Sequence, residues 1–221
     1  MIRLGEFAAD IRRHPLLSRV LALKGGTALN LLLGVPARLS VDLDFNYVGQ
    51  TDRERMQSER PQVEHALEVI GQGQGYRVQR SRAAHAGRKL YLSYTSVAGT
   101  ADRIEVDLNF LYRTPLGDLS RRAMWQPPGF ERPEVTIVPL EELAAGKLRA
   151  TLDRAMPRDL FDTVRLPHAT RWNLGHLAAA PSPRRARRDP AAPAVQIRAH
   201  PFRSRHCQAS PGTARSDAAG G

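Results

Sequence analysis

Residues 38–45, Arg-Leu-Ser-Val-Asp-Leu-Asp-Phe, decide the fold together with residues 23–29, Leu-Lys-Gly-Gly-Thr-Ala-Leu. The later stretch alternates polar and apolar residues, which predicts a half-buried strand. Side chains two apart on a strand point the same way, so Asp42 and Asp44 project together while the alternate residues face the core. Adjacent carboxylates repel each other unless a cation lies between them, so this strand indicates a divalent metal or an arginine nearby.

The glycine pair upstream of this strand predicts a phosphate contact. Gly25 and Gly26 follow a short apolar strand and form a turn into a helix over Thr27–Leu33. Backbone N–H groups at a helix N-terminus attract phosphate oxygens, and the Thr27 hydroxyl can add a contact. A glycine pair also occurs in plain turns, and this one is not a Walker A loop because no Gly-Lys-Ser/Thr follows. The glycines alone leave both interpretations open.

A third carboxylate comes from a later strand. Residues 103–110 alternate between apolar residues and a polar face that carries Asp107. If this strand lies beside the first, Asp107 joins Asp42 and Asp44, and the three carboxylates can hold one or two Mg²⁺ ions. Metal-dependent phosphoryl or nucleotidyl transfer requires such a set. The alternative is a row of solvated strand carboxylates, with Asp107 paired to an arginine such as Arg103.

The whole chain predicts a mixed α/β fold of the α+β kind with a small mixed sheet. Apolar periodicity and the positions of glycine and proline separate the elements. We expect helices at about 5–13, 27–33, 51–71, 139–155 and 158–166, strands at about 20–23, 40–48, 76–80, 89–97, 103–110 and 135–138, and an irregular connection at 113–133.

Positive charge is concentrated at the C-terminal end. The net charge is +11 over 221 residues. Residues 167–221 hold nine arginines and two acids, whereas the preceding residues hold 24 basic and 20 acidic side chains. The high basicity therefore does not indicate nucleic-acid binding by the folded part. The alanine- and proline-rich composition of 167–221 predicts either a disordered basic tail or sequence read out of frame after Leu166.

The rest of the composition excludes several classes of protein. A single cysteine, Cys207, rules out a disulfide framework and a cysteine-based zinc site. No apolar run approaches the roughly 18 residues of a membrane span, and no signal-peptide pattern opens the chain. We therefore expect a cytoplasmic protein that has no membrane partner.

Two motifs resemble a known family. Lys24–Leu29 (Lys-Gly-Gly-Thr-Ala-Leu) followed by Arg38–Phe45 (Arg-x-Ser-x-Asp-Leu-Asp-Phe) resembles the AbiEii/AbiGii toxin family of the nucleotidyltransferase superfamily. The stretch from Lys147 to residues 157–162 (Pro-Arg-Asp-Leu-Phe-Asp) is similar to that family's downstream lysine and arginine–aspartate motif. The resemblance covers about residues 1–166. It implies a nucleotidyltransferase domain at 1–138 followed by a helical region that starts at 139–166, whereas composition alone predicts the low-complexity tail at 167–221.

The resemblance also implies roles for residues of both motifs. The nucleotide-binding set is Lys24, Gly25, Gly26, Thr27 and Ser40, the metal-binding set is Asp42, Asp44 and Asp107, and the catalytic set is Asp107, Lys147 and Asp159. Asp107 can assist deprotonation of the attacking hydroxyl, and Lys147 can stabilise developing negative charge. Asp159 can orient Lys147 or the acceptor. The alternatives are a strand-end charge for Lys24, a solvated helix lysine for Lys147, and a helix N-terminal cap for Asp159.

The activity implied is transfer of a nucleotide from an NTP to an acceptor, with Mg²⁺ as cofactor. The implied acceptor is RNA, since tRNA 3′ ends are targets of some members. The implied role is the toxin of a bacterial toxin–antitoxin or phage-defence system, with a cognate antitoxin encoded nearby. Transfer to a protein or a small molecule, or an inactive and truncated toxin remnant, are the alternatives. The family's helical region should continue past Asp162, whereas this chain changes to the arginine-rich tail.

Overall fold

The computed structural model describes residues 2–32, 40, 42–82, 86–154 and 156–166. Its elements are α1 (Ile2–Arg13), α2 (Leu17–Val20), β1 (Leu21–Lys24), α3 (Gly25–Leu32), β2 (Asp42–Tyr47), α4 (Arg53–Gly73), β3 (Arg77–Arg80), β4 (Gly87–Thr95), β5 (Ala101–Asn109), β6 (Ser120–Ala123), β7 (Glu134–Ile137), α5 (Leu140–Arg154) and α6 (Pro157–Arg165). The tail at 167–221 lies outside the described residues, so both interpretations of it, and the domain boundaries, stay predictions.

The seven strands form one mixed sheet in the order β3-β4-β5-β2-β1-β7-β6. β2 pairs in parallel with β5, and β1 pairs in parallel with β7, whereas the other neighbours are antiparallel. The mixed α/β class is therefore confirmed, although the sheet has one strand more than the sequence indicated. That strand, β6, lies in the predicted irregular connection. Its sequence Ser-Arg-Arg-Ala has no apolar alternation because it lies exposed at the sheet edge.

One face of the sheet carries the hydrophobic core. Apolar side chains of β4 and β5 alternate into this core, where they are at most 3% exposed. Helices α1 and α4 cover them with residues spaced at helical intervals. The residues that meet there include Leu4, Phe7 and Ile11 of α1, Val63 and Leu67 of α4, Leu90 and Leu92 of β4, and Ile104, Val106 and Leu108 of β5.

The other face of β3, β4 and β5 keeps its side chains exposed or half-buried. We call this surface the open face, and it consists of Arg77 and Gln79 of β3, Lys89, Tyr91 and Ser93 of β4, and Arg103, Glu105 and Asp107 of β5. Its composition is polar, because these positions alternate with the core positions along each strand.

A buried carboxylate joins α4 to the sheet on the core side. Glu64 is 3% exposed, and its oxygens lie 2.7 Å from Arg60 Nε and 3.0 Å from Arg88 Nε. Arg80 Nη1 lies 3.8 Å away. Three guanidinium groups from three elements therefore surround this one acid, an arrangement we call the Glu64 cluster. A buried charge of this kind persists only when cations and hydrogen bonds replace its water.

The C-terminal helices pack beside the glycine-rich helix. Leu29 of α3, Ala144 of α5 and Leu166 form a small separate core. This contact brings α5 to the end of the sheet where β1 and β2 meet α3. Among the described residues, no helix combines the length and apolar character that a membrane span requires.

Candidate active site

A row of four charged residues crosses the sheet. Lys24 of β1 is the register partner of Asp44 on β2, and Asp44 is the partner of Asp107 on β5. Asp107 is in turn the partner of Lys89 on β4. Register partners on adjacent strands project from the same face at a spacing of about 4.8 Å. Two carboxylates therefore lie at the centre of the row, with a lysine at each end.

Asp42 stands one position further along the same face. It is the register partner of Glu105 and is half-buried, as are Asp44 and Asp107. The prediction that Asp42 and Asp44 share a face with Asp107 is thus matched by the strand pairing. Within the part of the chain that the structure describes, however, no three His, Cys, Asp or Glu side chains already form a group able to hold a metal.

The pKa of the Asp44 carboxyl lies above its ordinary value. Burial raises the pKa of its carboxyl, and the charges of Asp107 and Asp42 raise it further. Lys24 and Lys147 act in the opposite direction on the pKa of Asp44. Burial and two neighbouring acids therefore both disfavour the ionised form of Asp44, and an additional cation beside it would offset this cost.

The glycine pair forms the first turn of α3 rather than a separate turn before it. Gly25 has φ +76°, in the left-handed region that favours glycine. A Cβ atom at this position would lie 2.1 Å from Asp44 Oδ2. Gly25 therefore permits both the backbone path and the close approach of Asp44 to the start of the helix.

The side chains of Thr27 and Ser40 are already engaged with the protein. Thr27 is 1% exposed, and its Oγ1 lies 2.5 Å from the carbonyl oxygen of Asp42 and 2.7 Å from Ser40 Oγ. These bonds tie the helix N-terminus to the start of the aspartate strand. The contact offered to a phosphate at this point is consequently the backbone N–H edge of α3 rather than the Thr27 hydroxyl.

Lys147 is buried, so the alternative of a solvated helix lysine is wrong. The residue is 8% exposed, and its Nζ lies 2.8 Å from Asp162 Oδ2 and 3.5 Å from Asp159 Oδ1. Both aspartates are fully buried. Asp159 does not cap α6 with its side chain, because its carboxylate is directed to Lys147 and Arg154 and not to the helix N-terminus.

Arg154 is a residue that sequence reasoning missed. Its Nε and Nη2 donate hydrogen bonds of 2.6 and 2.9 Å to the two oxygens of Asp159, which lowers the pKa of that carboxyl. The bonds to Asp159 raise the pKa of Arg154, and the charge of Asp44 adds to this effect. Its side chain is 50% exposed. The available signal was spacing, since Arg154 follows Lys147 by two helical turns and shares its face.

Lys89 is a second missed residue. Its Nζ contacts Glu105 and lies 3.6 Å from Asp107 Oδ2. The partner suggested for Asp107, Arg103, instead lies over the ring of Tyr91, 5.0 Å from its centroid. That pairing was wrong because the cross-strand neighbour of Asp107 comes from β4, which only the strand order reveals.

At the other end of the row, Lys24 lies between two acids. Its charge lowers the pKa of both Asp44 and Glu142, although burial raises the pKa of each of these carboxyls. Glu142 accepts hydrogen bonds from Asn46 Nδ2 at 3.2 Å and from the Leu116 N–H at 3.1 Å. Glu142 therefore anchors α5 against β2 near the glycine helix.

Known structures share this fold. MenT4, a nucleotidyltransferase toxin from Mycobacterium tuberculosis H37Rv, superposes with a TM-score of 0.55 at 21% identity over 79% of this chain. The chain spans 60% of the length of MenT4. ANT(2'')-Ia in complex with adenylyl-2''-tobramycin superposes with a TM-score of 0.50 at 20% identity, over 80% of this chain and 94% of that one. At such identities the similarity concerns the fold alone.

The sequence itself identifies the family. Comparison with curated proteins gives no match. Residues 9–204 match the model of a family described as the nucleotidyl transferase AbiEii toxin of type IV toxin–antitoxin systems. The match extends past residue 166, the end of the resemblance that the two motifs indicated. The chain therefore belongs to the AbiEii nucleotidyl transferase toxin family.

Proposed function

We propose that this protein transfers a nucleotide from an NTP to the hydroxyl of an RNA acceptor, with tRNA 3′ ends as the acceptor class. The observation that carries the proposal is the row Lys24, Asp44, Asp107 and Lys89, in which two half-buried carboxylates lie side by side next to a helix N-terminus. Family membership and the shared fold support the reaction class.

The carboxylates fit a magnesium site in their chemistry. Asp42, Asp44 and Asp107 offer only oxygen atoms, the ligands that Mg²⁺ prefers. Burial and the charges of Asp107 and Asp42 raise the pKa of Asp44, so a bound cation would stabilise the ionised form of this carboxyl. When bound, Mg²⁺ would neutralise phosphate charge and align the reacting groups.

The helix and Lys24 bind the nucleotide in this proposal. The backbone N–H groups of Gly26 and Thr27 bind the triphosphate, because they lie at the N-terminus of α3, and Gly25 lets Asp44 approach the same point. Lys24 supplies positive charge at the same end of the row. Thr27 and Ser40 act indirectly, because their mutual hydrogen bond holds the helix against the aspartate strand.

The chemical step is attack of the acceptor oxygen on the α-phosphorus. An O–P bond forms to the acceptor, the bond between the α-phosphorus and its bridging oxygen breaks, and pyrophosphate leaves. The hydroxyl proton passes to the carboxylate of Asp107 in this scheme. Lys147 stabilises the developing negative charge, and the buried carboxylates of Asp159 and Asp162 position its ammonium group.

The biological role proposed is that of a toxin whose cognate antitoxin is encoded nearby, acting in the cytoplasm and contributing to phage defence. Family membership supports the toxin role. Transfer to a protein or a small molecule is the alternative outcome. Incubation of the full chain with labelled NTPs and cell extract distinguishes the three classes of acceptor. The label enters RNA, protein or a small compound accordingly.

The test of the active site compares two aspartates of strand β5. Asp107→Asn should reduce nucleotide transfer by about a thousandfold, because it removes a carboxylate from the centre of the row. Asp102→Asn is the matched control, since Asp102 is an exposed carboxylate that accepts a hydrogen bond from Tyr94. We expect transfer by the Asp102 variant at the rate of the unchanged protein. Equal rates for the two variants would refute the proposed site.

A further inference from the structure

The open face continues directly from the carboxylate row. The next positions along β5 are Glu105 and then Arg103, whose register partners on β4 are Tyr91 and Ser93. Ser93 is paired in turn with Arg77 of β3. Arg103 lies four residues from Asp107, which corresponds to about 13 Å along the strand. The open face therefore extends along the paired strands from the proposed reaction centre to two arginines at its outer end.

The charge of the surface changes sign along this path. Asp42, Asp44 and Asp107 make its inner end acidic, whereas the outer end carries Arg77 and Arg103. Both arginines are exposed, and neither forms an ion pair with another of the described residues. Exposed guanidinium groups of this kind are typical phosphate contacts.

An aromatic ring lies between the two charged ends. Tyr91 is half-buried, and the Arg103 guanidinium carbon lies 5.0 Å from the centroid of its ring. Tyrosine rings and arginine planes are the surfaces on which unpaired bases of a single strand stack. Tyr91 is surrounded by polar neighbours, Gln79 on one side and Glu105 on the other.

The two lysines lie at opposite ends of the row and so distinguish its two sides. Lys24 stands next to the start of α3, where the nucleotide is proposed to bind. Lys89 stands on the other side of Asp107, at the inner end of the open face. A donor nucleotide and an acceptor strand can therefore approach the carboxylates from opposite ends of the row.

We propose that the open face binds the single-stranded 3′ end of the RNA acceptor, with Lys89, Arg103 and Arg77 on its phosphates and Tyr91 beneath a base. About 13 Å accommodates roughly four nucleotides at the phosphate spacing of a stacked strand. A protein partner fits this surface less well, because the open face has no exposed large aliphatic side chain, whereas protein interfaces have apolar centres. This inference rests on the proposed function, whose acceptor it places.

The experiment compares two double variants that remove the same charge from opposite halves of one sheet. Arg77→Ala with Arg103→Ala changes the open face. Arg121→Ala with Arg122→Ala removes two exposed arginines of β6, at the far edge. Both proteins retain the arginines at 167–221, so any binding by those residues is common to the pair. Binding of a fluorescent single-stranded RNA is measured by anisotropy in EDTA without NTP, over a range of salt concentrations.

We expect the open-face variant to bind RNA about tenfold more weakly, and the slope of log Kd against log salt to fall by about 1.4 for two lost phosphate contacts. The β6 variant should match the unchanged protein. Tyr91→Ala should weaken binding about tenfold, and Tyr91→Phe should not. Equal effects of the two double variants, or no effect of either, would overturn the inference, as would preferential binding of a protein from the extract on this face.

The assay separates this inference from the proposed function. Binding is measured without nucleotide, so it does not depend on transfer. If the unchanged protein transfers nucleotide but the open-face variant binds RNA normally, the acceptor surface is wrong and the reaction stands. If RNA binding falls as expected but no NTP supports transfer, the reaction is wrong and the surface stands.

Discussion

Two acids on opposite faces of one sheet show how differently the protein treats buried charge. Glu64, on the core side, lies within 4 Å of three arginines. Asp44, on the other side, has the like-charged Asp107 as its register partner and Asp42 close by. Its positive neighbours, Lys24 and Lys147, are also shared with other acids.

This difference distinguishes a charge that stabilises the fold from carboxylates that are available to bind a ligand. The Glu64 cluster is satisfied by the protein itself, so its charges are part of the fold. The carboxylates around Asp44 are not, and repulsion among them is acceptable only if binding something positive compensates for it. We therefore expect substitutions at Glu64 to affect stability and substitutions around Asp44 to affect activity.

The largest stability effect should come from the Glu64 cluster. Glu64→Gln leaves three guanidinium groups without their buried anion, and we expect the free energy of unfolding to fall by about 3 kcal/mol. Urea denaturation followed by circular dichroism measures the change. Glu54→Gln, in the exposed first turn of the same helix, is the control and should alter stability by no more than about 0.5 kcal/mol. A Glu64 variant as stable as the control would remove the contrast between the two acids.

Two glycines far apart in the chain, with the same backbone angle, test the role of Asp44 further. Gly25 and Gly99 both have φ +76°, but only Gly25 has a carboxylate where a Cβ would be. Replacement by alanine should lower stability by about 1–2 kcal/mol at Gly99, because of the left-handed backbone, and by at least as much at Gly25, where the Cβ must also displace Asp44. Only Gly25→Ala should also lose nucleotide transfer, because it displaces Asp44.

Rates of transfer and urea midpoints for both alanine variants check this expectation. Retained activity in Gly25→Ala would mean that the contact with Asp44 is irrelevant to function. Loss of activity in Gly99→Ala would mean that strain alone explains the effect.

The smallest effect should be at Asp44, where substitution by asparagine should raise the stability of the protein rather than lower it. Its pKa is raised in the folded protein, so ionisation of this carboxyl disfavours folding. In metal-free buffer, Asp44→Asn should therefore be slightly more stable than the unchanged protein above the folded pKa. The difference should shrink as the pH falls through the folded pKa and vanish below the unfolded value of about 3.9. Urea midpoints at several pH values in EDTA measure it, and a less stable Asn variant at neutral pH would contradict the prediction.

Local sequence patterns were sufficient to predict most helices and strands, and to predict the carboxylates of the candidate site. The two-residue alternation around Asp42, Asp44 and Asp107 predicts which face each side chain takes, because this period is a property of the strand itself. The exposed strand β6 and the start of α3 at Gly25 were missed, because neither depends on an apolar pattern. The roles of Lys89 and Arg154 were missed for another reason, since their partners are distant in the chain.

The sequence by itself determined the class of fold, the shared face of Asp42 and Asp44, and the family, because these depend on short spacings and local periodicity. Only the tertiary structure decided which charges become neighbours. Strand order places Lys89 beside Asp107 and Arg103 over Tyr91, and helix packing buries Lys147 between two aspartates. Electrostatic interactions act through space at a few ångströms, so their partners follow from pairing and packing and not from distance along the chain.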